Sequence, residues 1–291
     1  MDIEIIKRIE RMYPNSQYDH SKPSPKKHIV KLVFKQGIKT IKLYAKTDVD
    51  SEREYKNLLR LQKLGIHKKL AIQKPVAYMK DKKTLITEKI PGVILSSQMN
   101  NIIPNLYKTG KWLGKFHNIT EVGKKLDKYE LLCNLRTNAR KNLDGLTAKR
   151  LINEAEKRLP DNFDVTGVHG EFFPCNIILN DEMYVIDFSQ FRFFSPYYDI
   201  ATMHNFLRFT PRFLINKTKR DTAIREFLRG YESERKIEPD SLYFFNVYVL
   251  LNILNAANKI ISSRSPIMEK MRAYKDRIVA HNIIASLIRY S

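Results

Sequence analysis

The chain has 291 residues, of which 43% are hydrophobic and 29% are charged. This composition excludes a fibrous or disordered protein, and the length suffices for one large domain or two lobes with a buried core. With 52 Lys and Arg against 31 Asp and Glu, the formal net charge is +21. Such a charge favours anionic partners, including nucleotides, nucleic acid, phosphorylated substrates and anionic membranes. A lysine-rich genome produces the same bias, so the charge selects none of them.

The cysteines and the apolar segments favour a cytoplasmic protein. Cys133 and Cys175 match no metal or redox spacing, so we expect two reduced thiols. The N-terminus lacks the basic and apolar regions of a signal peptide. The longest apolar segment, from Tyr243 to Ile261, carries four asparagines, which favours a buried helix of a bundle over a transmembrane span.

The first third of the chain predicts a small α/β lobe, because helical and alternating apolar patterns follow one another between turn signals. Polar, proline-containing sequence predicts a loop before the first hairpin. The predicted elements are a helix over residues 2–12, a loop over 14–27, a hairpin of strands 28–34 and 38–44, a helix over 50–64, and a hairpin of strands 76–79 and 84–88 that ends at Ile90-Pro91-Gly92.

The most informative stretch runs from Val168 to Phe188. Two short apolar runs around a polar turn, within residues 177–186, predict a β-hairpin. Glu171 and Asn176 precede the first strand and Asp187 follows the second, so the hairpin gathers two carboxylates and an amide at one end. Oxygen ligands of this kind suit Mg²⁺ in the company of substrate phosphates. An ordinary hairpin with polar ends explains the same pattern.

The motif His169-Gly-Glu171, with Asn176 five residues later and then Ile186-Asp187-Phe188, resembles the catalytic and metal-binding segment of the aminoglycoside phosphotransferase/choline kinase family. These proteins are small-molecule kinases with the protein-kinase-like fold. Order and spacing match at every position but one, because Glu171 stands where the family usually has Asp.

The resemblance implies an α+β, two-lobed protein-kinase-like fold. Residues 1–91 would form a small antiparallel-sheet N-lobe, and residues 92–291 a mostly helical C-lobe. Backbone groups around Glu88 to Ile90 would pair with the adenine edge at the hinge. The glycine-rich turn that usually covers the phosphates is missing, and the candidate loop at residues 21–27 contains two prolines, which remove two N–H donors.

The resemblance also implies ATP and Mg²⁺ as cofactors. Asn176 and Asp187 would hold the metal, and Lys42 would contact the phosphates. Glu54 would pair with that lysine, with Glu52 as a rival for the same role. An ordinary exposed strand lysine and a surface helix glutamate remain alternatives for Lys42 and Glu54.

In the catalytic loop, the resemblance assigns Glu171 to accept or orient the proton of an acceptor hydroxyl. His169 would pack under the loop and support its backbone. Asp199, in Pro196-Tyr-Tyr-Asp199, would accept hydrogen bonds from the loop and fix its shape. The extra methylene of Glu171 moves its carboxylate by about 1.5 Å relative to Asp, so the geometry of this group decides whether catalysis is efficient.

Three functions compete at this stage. The first is an ATP- and Mg²⁺-dependent kinase acting on a hydroxyl of a sugar, an amino alcohol or a glycolipid precursor. The second is a pseudokinase-like module that binds a nucleotide or a partner with little catalysis. The third is a nucleic-acid or membrane-surface protein, which the even spread of basic residues disfavours; peripheral membrane contact stays open.

The acceptor is expected to be neutral or anionic rather than polycationic. A site for a polycation needs clustered acidic residues, but residues 242–291 contain only Glu269 and Asp276 against seven Lys and Arg.

Overall fold

The computed structural model describes residues 3–23, 29–209, 216–263, 265 and 267–289. The chain divides into two compact units. Unit 1 comprises residues 1–98 and 174–191, and unit 2 comprises residues 99–173 and 192–291. This division differs from the predicted boundary after residue 91, because residues 174–191, which contain the predicted β-hairpin, pack with the N-terminal part of the chain.

Most of the strands belong to unit 1. In chain order the strands are β1 (Gln17–Pro23), β2 (Ile29–Gln36), β3 (Lys39–Thr47), β4 (Pro75–Met79), β5 (Thr84–Glu88), β6 (Val93–Ile94), β7 (Lys125–Asp127), β8 (Asn162–Asp164), β9 (Thr166–Val168), β10 (Ile177–Leu179), β11 (Met183–Val185) and β12 (Arg192–Phe194).

Most of the helices belong to unit 2. In chain order the helices are α1 (Ile3–Met12), α2 (Ser51–Lys63), α3 (Ile103–Ile119), α4 (Lys128–Asn142), α5 (Gly145–Arg158), α6 (Tyr197–Phe209), α7 (Lys217–Glu232), α8 (Pro239–Ser262) and α9 (Ile267–Arg289). The predicted α+β class, with an antiparallel N-terminal sheet and a mostly helical remainder, is confirmed.

The main sheet of unit 1 is antiparallel, with the strand order β1-β2-β3-β5-β4. Its first strand corrects the sequence analysis, which assigned residues 14–27 to a loop. β1 is polar and ends at Pro23, but it lies at the edge of the sheet and its register shifts between Tyr18 and His20. Edge strands tolerate proline, polar residues and bulges, because one side of the strand makes no ladder bonds.

The two faces of the main sheet differ in chemistry. On one face, Leu43 and Ala45 of β3 join a buried core that is covered by Ile5 and Ile9 of α1. Successive strand residues point to opposite faces, so Lys42, Tyr44 and Lys46 share the other face. We call this second face the lysine face. It is the face that carries the candidate site of unit 1.

A second sheet in unit 1 has the order β11-β10-β6. The predicted hairpin is confirmed as β10 and β11, whose register pairs Ile177 with Val185. The hairpin is tied to the rest of the unit by a parallel bridge between Ile72 and Val185, and by β6. These contacts position the residues on both sides of the hairpin.

In unit 2, α3 and α7 approach so closely that each needs a glycine at the crossing. A Cβ atom at Gly110 would lie 2.0 Å from the carbonyl oxygen of Phe227, and one at Gly230 would lie 2.0 Å from that of Tyr107. Both distances are far below van der Waals contact. The Phe-x-x-Gly-Tyr sequence of α7 therefore serves to bring Tyr231 against α3.

Helix α8 is the one helix of the described ranges that is long and apolar enough to cross a membrane by length and composition. Within its apolar window, 56% of the residues are buried in the protein. The helix packs against α4, α5, α6 and α9, and its buried residues include Phe244, Phe245 and Leu251. This environment agrees with the prediction of a buried helix in a bundle.

Candidate nucleotide and catalytic site

Lys46, at the C-terminal end of β3, is the lysine that contacts Glu54 on α2. Its Nζ lies 2.7 Å from Oε2 of Glu54 and 3.2 Å from Oδ1 of Asp187. The sequence analysis assigned this pairing to Lys42, and that pairing is wrong. Lys42 lies four residues earlier with an exposed side chain. Because β3 continues to Thr47 instead of ending at Tyr44, the lysine nearest to α2 is Lys46.

Burial makes the contact between Lys46 and Glu54 electrostatically strong. The side chain of Lys46 is 19% exposed and that of Glu54 is 3% exposed. Burial alone would lower the pKa of Lys46, but the charges of Glu54 and Asp187 outweigh it and raise this pKa. Burial, reinforced by the charge of Asp187, raises the pKa of Glu54 to about 7 against the pull of Lys46. Lys46 is therefore a fixed ammonium between two carboxyl groups.

Asp187 has a backbone conformation that few residues adopt. Its φ is 65° and its ψ is 62°, in the left-handed region, where Asp is tolerated better than most residues. Such strain persists where the surroundings impose it. Here the side-chain amide of Asn57 on α2 donates to the backbone carbonyl of Phe188 at 2.8 Å, and the backbone amide of Ile186 donates to the carbonyl of Asn176 at 2.9 Å. Hydrogen bonds thus fix the backbone at or beside both predicted metal ligands.

In unit 2, Asp199 at the start of α6 organises the loop that follows β9. Its carboxylate accepts the amide of His169 at 2.6 Å and the amide of Gly170 at 2.9 Å. The carboxylate is completely buried. Burial would raise the pKa of Asp199, but hydrogen bonds from His117 and from Gly170 outweigh it and hold this pKa below its usual value. The buried group is a carboxylate anion that binds the loop backbone.

His117 and Tyr231 extend this network into the core. His117 Nε2 lies 3.3 Å from Oδ2 of Asp199, and His117 Nδ1 lies 2.9 Å from the hydroxyl of Tyr231. Burial lowers the pKa of His117 despite Asp199, so the imidazole is neutral at neutral pH. A neutral imidazole has one N–H, which Nε2 donates to Asp199 while Nδ1 accepts from Tyr231. The sequence analysis considered His117 structural and did not connect it with Asp199.

Glu171 follows directly in the same loop. Its amide donates to Nδ1 of His169 at 3.2 Å, and its carbonyl accepts the amide of Phe173 at 2.8 Å. Both bonds involve the backbone of Glu171, and its side chain is partly exposed. His169 is buried under the loop, at the position where the sequence analysis expected a supporting residue.

Comparison with known proteins places this geometry in a family. The model of the phosphotransferase enzyme family (APH) matches residues 13–243, which is most of the chain. The chain belongs to this family. A comparison with curated proteins gave no match.

Solved structures share the fold at low sequence identity. Choline kinase LicA from Streptococcus pneumoniae is 17% identical with a TM-score of 0.59, over 97% of this chain and 98% of that chain. A choline/ethanolamine kinase family protein from Mesorhizobium loti is 13% identical with a TM-score of 0.62, over 94% and 93% of the two chains. Amicoumacin kinase hAmiN, solved with AMP-PNP, Ca²⁺ and its ligand Ami, is 14% identical with a TM-score of 0.59, over 97% and 96%.

A phosphotransferase of this fold implies Mg²⁺, and the donor set of unit 1 fits that ion. Asn176 offers an amide oxygen and Asp187 a carboxylate. Within the described part of the chain, no group of three or more His, Cys, Asp or Glu side chains is arranged to hold a metal. Mg²⁺ commonly binds through one or two protein oxygens together with substrate phosphates and waters, without a full protein cage. The short donor set therefore suits Mg²⁺ bound together with a nucleotide.

The backbone that follows β5 offers candidate hydrogen-bonding groups for an adenine edge. The sequence analysis named the region from Glu88 to Ile90. In the structure the Glu88 amide donates to the carbonyl of Lys74 at 3.4 Å, and the Lys89 amide donates to that of Lys42 at 2.9 Å. These two amides are engaged within the sheet. The Glu88 carbonyl and the Ile90 amide remain as the candidates for a base, and this assignment stays a prediction.

The lysine face also presents an aromatic ring that the sequence analysis missed. Tyr44 is half-buried and lies two residues before Lys46 on β3, a rise of about 7 Å along the strand. Because side chains alternate along a strand, Tyr44 could have been placed on the same face as Lys46 from the sequence, once Lys46 was known to be the lysine that contacts Glu54.

The loop that was predicted to cover the phosphates, residues 21–27, is only partly described by the structure. Its residues Ser21 to Pro23 belong to β1, and residues 24–28 lie outside the described residues.

Glu54 gives a pH-dependent prediction for the nucleotide-free protein. Its pKa rises from 4.5 to about 7 on folding, so the folded protein binds this proton more tightly than the unfolded chain. The stabilising contribution is complete below pH 4.5 and is lost as the pH rises through about 7. We expect Glu54→Gln to remove this dependence. Relative to the variant, the wild type should lose about 2 to 3 kcal/mol of unfolding free energy between about pH 5 and pH 8.

Urea unfolding of both proteins at the two pH values measures this difference directly. The comparison cancels titration of all groups that the two proteins share. Parallel pH profiles would show that Glu54 keeps an ordinary carboxyl pKa beside Lys46.

Proposed function

We propose that this protein is an ATP- and Mg²⁺-dependent kinase that transfers a phosphoryl group to a hydroxyl of a small molecule. The observation that carries the proposal is the contact of Lys46 with both Glu54 and Asp187. A buried lysine held between two acidic side chains is costly to build for stability alone, because each charge must be desolvated. Phosphoryl transfer requires such a fixed cation near the phosphates.

The residues of unit 1 would bind the nucleotide. Lys46 would contact phosphate oxygens, and Glu54 would fix the position of its ammonium group. Tyr44, on the same face of β3, offers a ring on which a base can stack. The Glu88 carbonyl and the Ile90 amide would hydrogen-bond the edge of the base. ATP is the nucleotide proposed, and the AMP-PNP bound to amicoumacin kinase supports a nucleotide site in this fold.

Asn176 and Asp187 would hold Mg²⁺. When bound, the ion would neutralise charge on the transferring phosphoryl group and its leaving group. Oδ1 of Asp187 also lies 3.2 Å from Lys46 Nζ, so the same carboxylate would contact both the lysine and the ion. The left-handed backbone at Asp187 directs the side chain for this task.

Glu171 would act on the acceptor. In the transfer, the acceptor oxygen would form a bond to the γ-phosphorus as the bond from phosphorus to the bridging β,γ-oxygen breaks. The hydroxyl proton passes to the carboxylate of Glu171, and ADP leaves. His169 would not exchange protons with the acceptor, because it is buried and its Nδ1 accepts the amide of Glu171.

The acceptor would be a neutral or anionic molecule such as a sugar, an amino alcohol or a glycolipid precursor. Choline kinase and amicoumacin kinase show that this fold serves unrelated acceptors, so the acceptor follows from pocket chemistry and not from the fold. The scarcity of acidic residues after residue 242 opposes a polycationic acceptor.

Asp187→Asn tests the proposal. We expect Mg²⁺-dependent phosphate transfer from radiolabelled ATP in a library of hydroxyl acceptors, and at least an approximately 100-fold loss in the variant because a metal-binding charge is removed. Asn adopts the left-handed conformation readily, so the fold should persist. Activity that survives Asp187→Asn would contradict the assignment.

The alternative is a pseudokinase-like module that binds a nucleotide or a partner without turnover. The observation that favours it is Glu171, whose longer side chain departs from the family pattern. The module predicts that Glu171→Asp restores no transfer and that Glu171→Gln leaves any residual turnover unchanged. A kinase whose site is built around Glu171 predicts that Glu171→Gln loses about 100-fold or more in kcat.

A further inference from the structure

Three lysines lie together on the lysine face of unit 1. Lys31 of β2 pairs with Tyr44 of β3, and Lys42 lies two residues before Tyr44 on the same strand. The amide of Lys89 donates to the carbonyl of Lys42, which extends the β3–β5 ladder by one pair and places Lys89 opposite Lys42. Directly opposed residues share a face of the sheet. We call Lys31, Lys42 and Lys89 the lysine cluster.

Within the described ranges, no member of the lysine cluster forms an ion pair with a carboxylate. Another lysine of the same hairpin, Lys35, does have a partner, because its Nζ lies 3.2 Å from Asp19. Like charges opposite one another in a sheet are destabilising. The pKa of Lys89 is lowered by burial and by the charges of Lys31 and Lys42, which reports the same repulsion.

The cluster is separate from the proposed phosphate contact. Four residues along β3 separate Lys42 from Lys46, a distance of about 13 Å at the rise of a strand. Tyr44 lies between them. A nucleotide with its phosphates at Lys46 and its base at Tyr44 would have Lys31 beside the base and Lys42 and Lys89 farther along the strands, so the triphosphate would not neutralise the cluster.

We propose that the lysine cluster binds a phosphate group of a second ligand, distinct from the nucleotide triphosphate at Lys46. A phosphate dianion offers three oxygens to three ammonium groups, each of which carries three N–H donors. Binding relieves the repulsion that the free protein carries. This site goes beyond the proposed kinase activity, because neither the transferring phosphate nor its Mg²⁺ would use it.

Inorganic pyrophosphate is the probe. We expect saturable binding by calorimetry in the presence of saturating Mg²⁺ and AMP-PNP. The double variant Lys42→Glu/Lys89→Glu should weaken pyrophosphate binding by about tenfold or more, because attraction turns into repulsion at two of three contacts. AMP-PNP affinity should change by less than about threefold, since screening weakens the effect across the distance to Lys46.

Lys63→Glu/Lys68→Glu is the matched control. Both lysines are exposed in unit 1 and the variant has the same net charge change. An equal loss in the control, or the disappearance of pyrophosphate binding when AMP-PNP saturates the protein, would overturn the proposal. Lys46→Met distinguishes the second phosphate site from the proposed nucleotide site. This variant should weaken AMP-PNP binding and leave pyrophosphate binding at the lysine cluster unchanged.

Thermal melting supplies a readout that does not depend on any ligand. Lys42→Gln removes one of three repelling charges, so the melting temperature should equal or exceed that of the wild type while pyrophosphate affinity falls. A residue kept only for stability would show the opposite result. A short mixed-sequence RNA that competes with pyrophosphate would identify the phosphate source as a nucleic-acid backbone, and its failure to compete would identify a small phosphorylated ligand.

Discussion

Lys46→Met is expected to lower kcat/KM for phosphoryl transfer from ATP by about 10²- to 10³-fold, the range seen when one fixed electrostatic contact to a transition state is removed. Methionine matches the length of the lysine stem but cannot contact phosphate oxygens. The same substitution leaves Glu54 buried without its cation. Removing one partner of a buried pair costs about 3 to 5 kcal/mol, although protonation of Glu54 reduces this cost.

The measurement therefore needs a stability control. Steady-state kinetics should be recorded well below the melting temperature of the variant, with the folded fraction determined by circular dichroism. Lys39→Met on the same strand is the matched comparison, because Lys39 is exposed at the hairpin end and should change kcat/KM by less than about threefold. If Lys46→Met and Lys39→Met behave alike, Lys46 has no role at the phosphates.

The sequence predicted those helices and strands of unit 1 that have a strong pattern of apolar side chains. It did not predict the strand whose character depends on its position at the edge of the sheet. Helix α1 and strands β2 to β5 follow from apolar periodicity. β1 does not, because an edge strand needs neither alternation nor freedom from proline. Local sequence does not show which strand will lie at an edge.

The same limit explains the error at the lysine. Lys42 and Lys46 share one face of β3, so alternation cannot distinguish them. The deciding fact is that β3 pairs with β5 as far as Thr47 and Thr84, which is a long-range property. Glu54 was identified without it, because the family resemblance points to a glutamate in the first turn of α2, and that local position does not depend on the pairing of β3.

In unit 2 the sequence motif located Asp199 and His169, whereas His117 was described only as structural. A buried histidine on an apolar helix face usually satisfies its hydrogen bonds in the core, and nothing local reveals its partners. Those partners come from α6 and α7, and the contact with α7 depends on the close approach at Gly110 and Gly230. The residue pattern of a single sequence does not predict which helices pack together in this way.

Asp199→Asn is expected to destabilise the protein by about 3 kcal/mol, a large share of a typical unfolding free energy. The amides of His169 and Gly170 and the Nε2–H of His117 all point at this carboxylate. Asparagine offers one acceptor oxygen and adds two donors, so at least one donor must remain buried without a partner. Urea unfolding measures the loss. Asp240→Asn, at a 65% exposed side chain, should cost less than about 0.5 kcal/mol.

Tyr231→Phe separates positioning from stability in the same network. Without the hydroxyl, Nδ1 of His117 loses its donor and stays buried without that hydrogen bond. Nε2–H still donates to Asp199, but the imidazole that supports this carboxylate is held on one side only. We expect a loss of about 1 to 2 kcal/mol in stability, a lower kcat, and an unchanged Kd for AMP-PNP. ¹⁵N spectra of the imidazole should show protonated Nε2 in the wild type. If Tyr197→Phe, which loses a hydroxyl contact to the Glu238 amide, lowers kcat equally, the effect of Tyr231 is general packing and not the hydrogen bond to His117.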